Sequence, residues 1–192
     1  MKPIRYLLTI IALVILIMVA GCDNQNSTNT TPKSNEPTQT EVSLASKDDT
    51  AITKTDTQTE ITVYFPDANA EKLIAVKRQI PNNDNKYVET INALIAGPTN
   101  EAEGINVMPK GTKVLNVTIN DKVATVDFNK EFQTNFTGGS TGEIMLIGSI
   151  VDTLTEFKEI NAVRFTLEGQ PLDILGGHLD LTEPVNRMND LL

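Results

Sequence analysis

The chain has 192 residues and a formal net charge of −9, with 25 acidic against 16 basic side chains. That balance removes the electrostatic footprint of nucleic-acid binding, which needs clustered Lys and Arg. One cysteine, one histidine and no tryptophan exclude an internal disulfide and supply poorly a histidine-rich metal site or a sugar-stacking platform; no cofactor is implied.

The N-terminus opens with Lys2 and Arg5, followed by Tyr6 to Ala20, apolar apart from Thr9. Small residues then lead into the thiol as Val19-Ala20-Gly21-Cys22. Charge, apolar run and small residues in that order make a secretory signal peptide. The run is short for a spanning helix, which needs ~20 apolar residues. The cysteine placement is that of a bacterial lipobox. Residues 1–21 are therefore expected to be removed. Cys22 becomes the lipidated N-terminus, carrying diacylglycerol with palmitate as the expected acyl class. Such a chain partners with a membrane through its lipid and faces away from the cytoplasm.

Residues 22–59 comprise the expected lipidated cysteine and a polar tether. Asp23 to Thr59 has no glycine and no aromatic residue, and is rich in Thr, Ser, Asn, Gln, Lys, Asp and Pro. Such a composition cannot bury enough apolar surface to offset ordering entropy, so disorder is expected. A coil of this length spans about 35 Å and stretches to about 120 Å.

From Glu60 the pattern changes, and residues 60–192 have the length of one domain with its own core. Ile61-Thr62-Val63-Tyr64-Phe65 alternates and stops at Pro66-Asp67, a strand and a turn. Leu73 to Ile80 is a second strand, closed by Pro81. Asn85 or Asp84 caps a helix with Tyr87, Ile91, Leu94 and Ile95 on its apolar face, and Gly97-Pro98 ends it. Val114–Ile119 and Val123–Phe128 read as a hairpin turning at Asn120-Asp121, with Leu115, Val117 and Ile119 on one face. Ile144, Ile147, Val151, Leu154 and Phe157 recur at helical spacing, and Ser140-Thr141-Gly142-Glu143 reads as the capping box of that helix. Val163, Phe165 and Leu167 make a further strand, with a turn at Glu168-Gly169-Gln170-Pro171 and a short return at Leu172–Leu175. Strand, strand, helix, strand, strand, helix, strand predicts an α+β domain: a mixed or antiparallel sheet with two amphipathic helices on one face.

Two loops carry the candidate binding and structural residues. Gly138, Gly139, Ser140 and Glu143 stand at a helix start; Gly176, Gly177, His178 and Asp180 stand in the last loop. The tandem glycines fit positive backbone angles or close packing. Gly138-Gly139-Ser140-Thr141-Gly142 also matches G-x-S-x-G, with Asp173 and His178 following in the order of a hydrolase triad. Thr134-Asn135-Phe136-Thr137 does not form the buried strand an elbow needs, and the capping box accounts for both Ser140 and Glu143. His178 with Asp180 and Glu183 lacks the ligand density of a zinc or calcium site. Glu131 with Glu143 as a glycosidase pair lacks aromatic platforms. No catalytic and no metal residue is assigned.

Taken together, Tyr64-Phe65-Pro66-Asp67, Gly97-Pro98, Pro109-Lys110-Gly111-Thr112, Ala124-Thr125-Val126-Asp127-Phe128, Glu131-Phe132, Gly138-Gly139-Ser140, Ser149–Phe157 and Gly176–Leu181 resemble the GerMN domain, the sporulation and spore-germination module of Gram-positive bacteria. The resemblance covers nearly all of residues 60–192. It implies a fold similar to ring-building modules, carried on lipoproteins or membrane-linked proteins at the extracytoplasmic face of the cell membrane. It implies no catalytic residues. It matches one copy of the domain, whereas the germination member of the family resembles two in tandem, so a general envelope role is open beside a spore-specific one. The expected activity is non-enzymatic: assembly with an envelope protein partner or with itself. Binding of peptidoglycan or a small ligand, and a hydrolase using Ser140, are the alternatives.

Because the expected anchor is separate from the expected domain, Cys22→Ala should fold normally yet leave the membrane fraction. Fractionation together with circular dichroism checks both halves, and loss of folding would contradict the separation.

Overall fold

Residues 57–192 are described by a computed structural model of the chain, and they lie in a compact unit bounded as Ala51–Leu192. The expected signal peptide, Cys22 and nearly all of the tether lie outside the described residues.

The first two strands, β1 (Gln58–Pro66) and β2 (Leu73–Pro81), pair antiparallel along their whole length. Ile61, Val63 and Phe65 point into the main core, while Tyr64 on the opposite face joins Leu73 and Met145 in a smaller cluster. Helix α1 (Lys86–Ala96) follows and ends at Gly97, whose φ of 82° suits a residue without Cβ. Arg78 and Glu103, the latter in a 3-10 turn at Glu101–Glu103, form an ion pair beside this helix end. Arg78 holds the Glu103 carboxyl at about 2, from an ordinary 4.5.

Strands β3 (Val114–Asn120) and β4 (Val123–Phe128) form the expected hairpin. Its turn is Asp121-Lys122, one residue later than expected. Both residues take positive φ, 47° and 64°, which gives the two-residue turn whose twist matches the strands. A bulge between Val114 and Asn116 shifts the register. It sends Leu115 to 49% exposure and leaves Val114, Val117 and Ile119 packed on the core. Leu115 is therefore not on the face it was expected to share.

After β4 comes a single helical turn, α2 (Glu131–Thr134), then α3 (Ser140–Leu154) and β5 (Ala162–Leu167). β5 lies parallel to β4, a pairing that requires a crossover, which α2 and α3 supply. Two short strands, β6 (Gln170–Pro171) and β7 (Val185–Asn186), pair antiparallel with opposite ends of β5. The short return is thus Gln170–Pro171, ahead of the expected Leu172–Leu175. Glu168-Gly169 is a second two-residue turn with positive φ at both positions. The fold is α+β with two sheets, an antiparallel pair and a five-stranded mixed sheet.

Helix α3 departs from the expected amphipathic pattern. Met145 through Leu154 are all buried, as is Glu143, and the helix packs against β1, β2, α1 and β5. A helix buried on every side lies inside the domain, not on one face of a sheet. Ser149, Asp152 and Thr153 are buried with it. The Thr153 hydroxyl accepts the Tyr64 backbone N–H at 3.0 Å, satisfying a donor that β2 does not reach.

Phe132 ties α2 to the mixed sheet. Its ring stacks on Phe128 at 4.3 Å and lies 6.5 Å from Phe165, with no exposed surface. Phe132→Ala should lower the unfolding free energy by about 3–5 kcal/mol in urea titration, the range for truncating a fully buried aromatic. A loss under about 1 kcal/mol would mean that α2 is not part of the core.

Candidate functional site

The carboxyl ends of the parallel strands β4 and β5 open toward three loops: residues 104–113, 129–139 and 168–182. Crevices at such strand ends are where open α/β sheets place ligands. Side-chain amides fix the loops to one another. Asn129 donates to the Gly111 carbonyl at 2.9 Å and accepts from the Lys113 amide at 2.8 Å. Asn135 donates to the Lys110 carbonyl at 2.7 Å, and Gln133 to the Ile174 carbonyl at 2.7 Å. Leu172, Leu175 and Leu181 are buried and anchor the last loop from below.

The two loops singled out in the sequence are joined here by Glu143. Its side chain is fully buried, and its two oxygens accept the backbone N–H groups of Gly176 and His178, each at 2.9 Å. The expected capping box is absent. Gly139 is the N-cap without any side-chain bond, and Glu143 sits one position too far along to reach back. The carboxylate satisfies donors of the distant loop instead.

Phe136 explains two of the glycines. A Cβ on Gly138 would lie 2.7 Å from the Phe136 ring, and one on Gly176 would lie 2.6 Å from it and 2.9 Å from Glu143 Oε2. Gly177 is a glycine for a different reason, a φ of 91°. Both expected uses of the tandem glycines are therefore realised, one at each position. Gly139 and Ser140 are exposed at the helix start.

Two surface grooves border this junction. One, of about 450 Å³, is lined by Met108, Pro109, Lys110, Phe136, Gly138 and Gly142 among others. The other, of about 470 Å³, is lined by Asp173, Ile174, Gly177, His178, Leu179 and Asp180 with Thr182. Ile174 is 56% exposed. The His178 ring is exposed, while its backbone is the part held by Glu143. Asp180 accepts the Thr182 hydroxyl at 2.6 Å and the Thr182 amide at 3.0 Å. Those bonds keep its carboxyl below the usual aspartate value.

β4 ends at Phe128 and α2 intervenes before Ser140, so Ser140 does not sit on a strand-to-helix elbow. Both carboxylate oxygens of Glu143 are occupied by backbone amides. Glu183 faces Arg164, 4.0 Å away, and not the His178 loop. Among the described residues no three His, Cys, Asp or Glu side chains converge as metal ligands. Sequence reasoning missed Phe136 and the amide staples at Asn129, Gln133 and Asn135. It named Glu143 but gave it the wrong bond. An acid inside an apolar helical stripe was the available sign.

The fold is that of a small α+β domain with a loop cluster at one end of its mixed sheet. The family profile described as Germane, sporulation and spore germination, matches residues 62–173, and the chain belongs to that family. The first GerMN domain of the sporulation protein GerM from Bacillus subtilis is 25% identical and superposes with a TM-score of 0.56, covering 67% of this chain and 98% of that one. The tandem GerMN domains of the same Bacillus subtilis protein align at 23% identity and a TM-score of 0.58, covering 75% of this chain. This chain spans about half of that tandem structure, 51%. No curated protein sequence matches.

Glu143→Ala removes the acceptor of two backbone N–H groups and should cost roughly 1–3 kcal/mol of stability. Glu143→Gln, which keeps one carbonyl acceptor, should cost less. Urea unfolding of both variants checks the order, and equal stability of all three proteins would contradict it.

Proposed function

We propose that this family member is a non-enzymatic envelope lipoprotein, anchored through Cys22 and a polar tether, whose GerMN-type domain binds a protein partner outside the cytoplasm. The setting is sporulation, germination or a related envelope process. Supporting the anchor are the order of charge, apolar run and small residues before Cys22 and the polar composition of Asp23 to Thr59. Family membership supports the sporulation-related setting. A single observation carries the binding reading: Glu143 locks two loops of different chain regions into one surface bordered by two grooves. Binding residues sit preferentially on loops held by a rigid scaffold, and this surface is one.

The partner-binding residues on this reading are the exposed ones, His178 and Ile174 with Lys110 and Thr137 across the junction. Self-assembly through the same surface is the variant of the reading in which the partner is a second copy. Photocrosslinking in the native membrane from a probe at Ile174 should yield a discrete adduct, and His178→Ala with Lys110→Ala should reduce it about tenfold. An undiminished adduct would remove this surface from the interface. A serine-directed fluorophosphonate should leave Ser140 unlabelled; labelling abolished by Ser140→Ala would overturn the non-enzymatic assignment.

A further inference from the structure

Among the described residues two buried side-chain atoms lack a hydrogen-bond partner, Ser149 Oγ and Asp152 Oδ2. Both belong to α3, and residues three apart on a helix are neighbours on one face. The other oxygen of Asp152 accepts the backbone N–H of Met188 at 2.8 Å. Met188 belongs to the last segment of the chain, Val185–Leu192, which continues from β7 over α3.

The helix is shaped for that segment. A Cβ on Gly148 would come within 2.5 Å of Leu191 and 3.6 Å of the Met188 sulfur. Leu191 covers the small cluster of Tyr64, Leu73 and Met145. Arg187 bonds the Asp152 carbonyl at 3.3 Å, the Thr155 hydroxyl at 3.2 Å, the Tyr64 hydroxyl at 3.0 Å and Glu156 at 2.6 Å. Only two residues of the segment, Val185 and Asn186, are held by a sheet.

An ionised carboxylate with one oxygen bare and out of water is costly, and the neutral acid avoids that buried charge. Ser149 Oγ on the same helix face is likewise without a partner and makes no bond to Asp152. We propose that Asp152 is a proton-operated latch: proton uptake holds Val185–Leu192 closed over α3, and proton loss loosens it. This goes beyond the binding role proposed for the loops, and concerns the opposite part of α3.

The charged and titratable groups around Asp152 are Glu156 on its own helix, Arg187 on the segment and Tyr64 on β1, with Lys77 of β2 acting on Glu156. Burial raises the Asp152 carboxyl above its ordinary 3.8; the Met188 amide and Arg187 oppose this, and Glu156 adds to it. An opened segment exposes Asp152 and returns it to the ordinary value. Closure is then strongest below 3.8 and weakens as pH rises to the value in the closed state, by up to tenfold per pH unit, and levels off above it. Glu156 works the other way. Burial pushes it up, but its bonds to Tyr64 and Arg187 leave it below 4.5, so its hold on Arg187 is complete above 4.5 and is lost as pH falls.

The test measures hydrogen-exchange protection of the Met188 and Leu191 amides in the full chain from pH 4 to 8. Glu156→Gln serves as background, to remove the opposing titration. With Asp152 present, protection should fall as pH rises and then level; with Asp152→Asn, which mimics the neutral acid, it should stay constant. The same pH profile in both proteins would overturn the latch. Should Asp152→Asn fail to fold, the carboxyl carbon-13 titration of Asp152 in the unmodified chain decides. A midpoint above 3.8 supports the latch, and one at or below 3.8 overturns it.

Discussion

A helix that carries polar side chains through the middle of the domain imposes conditions on everything around it. α3 is buried from Met145 to Leu154 and at Glu143, and a buried polar group is costly unless it is hydrogen-bonded. Glu143 and Thr153 meet this condition by reaching outside the helix, and Asp152 meets it with one of its two oxygens. Glu143 holds the loop at Gly176 and His178, Thr153 holds the Tyr64 amide of β1, and Asp152 holds the Met188 amide of the last segment. A chain with one cysteine thereby fixes its irregular C-terminal third without a disulfide.

The same condition accounts for the candidate binding surface. The 172–181 loop has no sheet partner of its own beyond the short β6 before it and β7 after it. Its backbone is positioned by Glu143, Gln133 and three buried leucines. Phe136 then closes the junction, and the glycines at 138 and 176 are what its ring leaves room for. Rigidity at this end of the molecule comes from the helix, while the side chains of Ile174 and His178 face outward.

Much of this was legible from periodicity. The strands β1 to β5 and both long helices fall where alternation and helical spacing place them, because each turns a set of apolar side chains toward the core. The failures have local physical causes. A bulge exposes Leu115, and positive angles at Asp121 and Lys122 move the hairpin turn by one residue. The capping box at Ser140–Glu143 matched a local pattern, but a non-local demand won: two amides more than thirty residues away needed an acceptor inside the protein. Gly176 and Gly177 could be marked as special from sequence, but not which needed space and which needed its backbone angle. Phe136 offered no pattern at all, since its importance lies in what it touches.

The central claim is that buried side chains of α3, and not regular secondary structure, fix the loop and terminal backbone around them. Residue-resolved hydrogen exchange on the native protein tests it at four amides: Tyr64, Gly176, His178 and Met188. Tyr64, Gly176 and His178 should exchange slowly throughout, and Met188 at the acidic end of the pH range where the terminal segment is closed, with protection approaching that of the β4–β5 ladder. Exchange of Gly176 and His178 at the rate of open loop amides would contradict the claim.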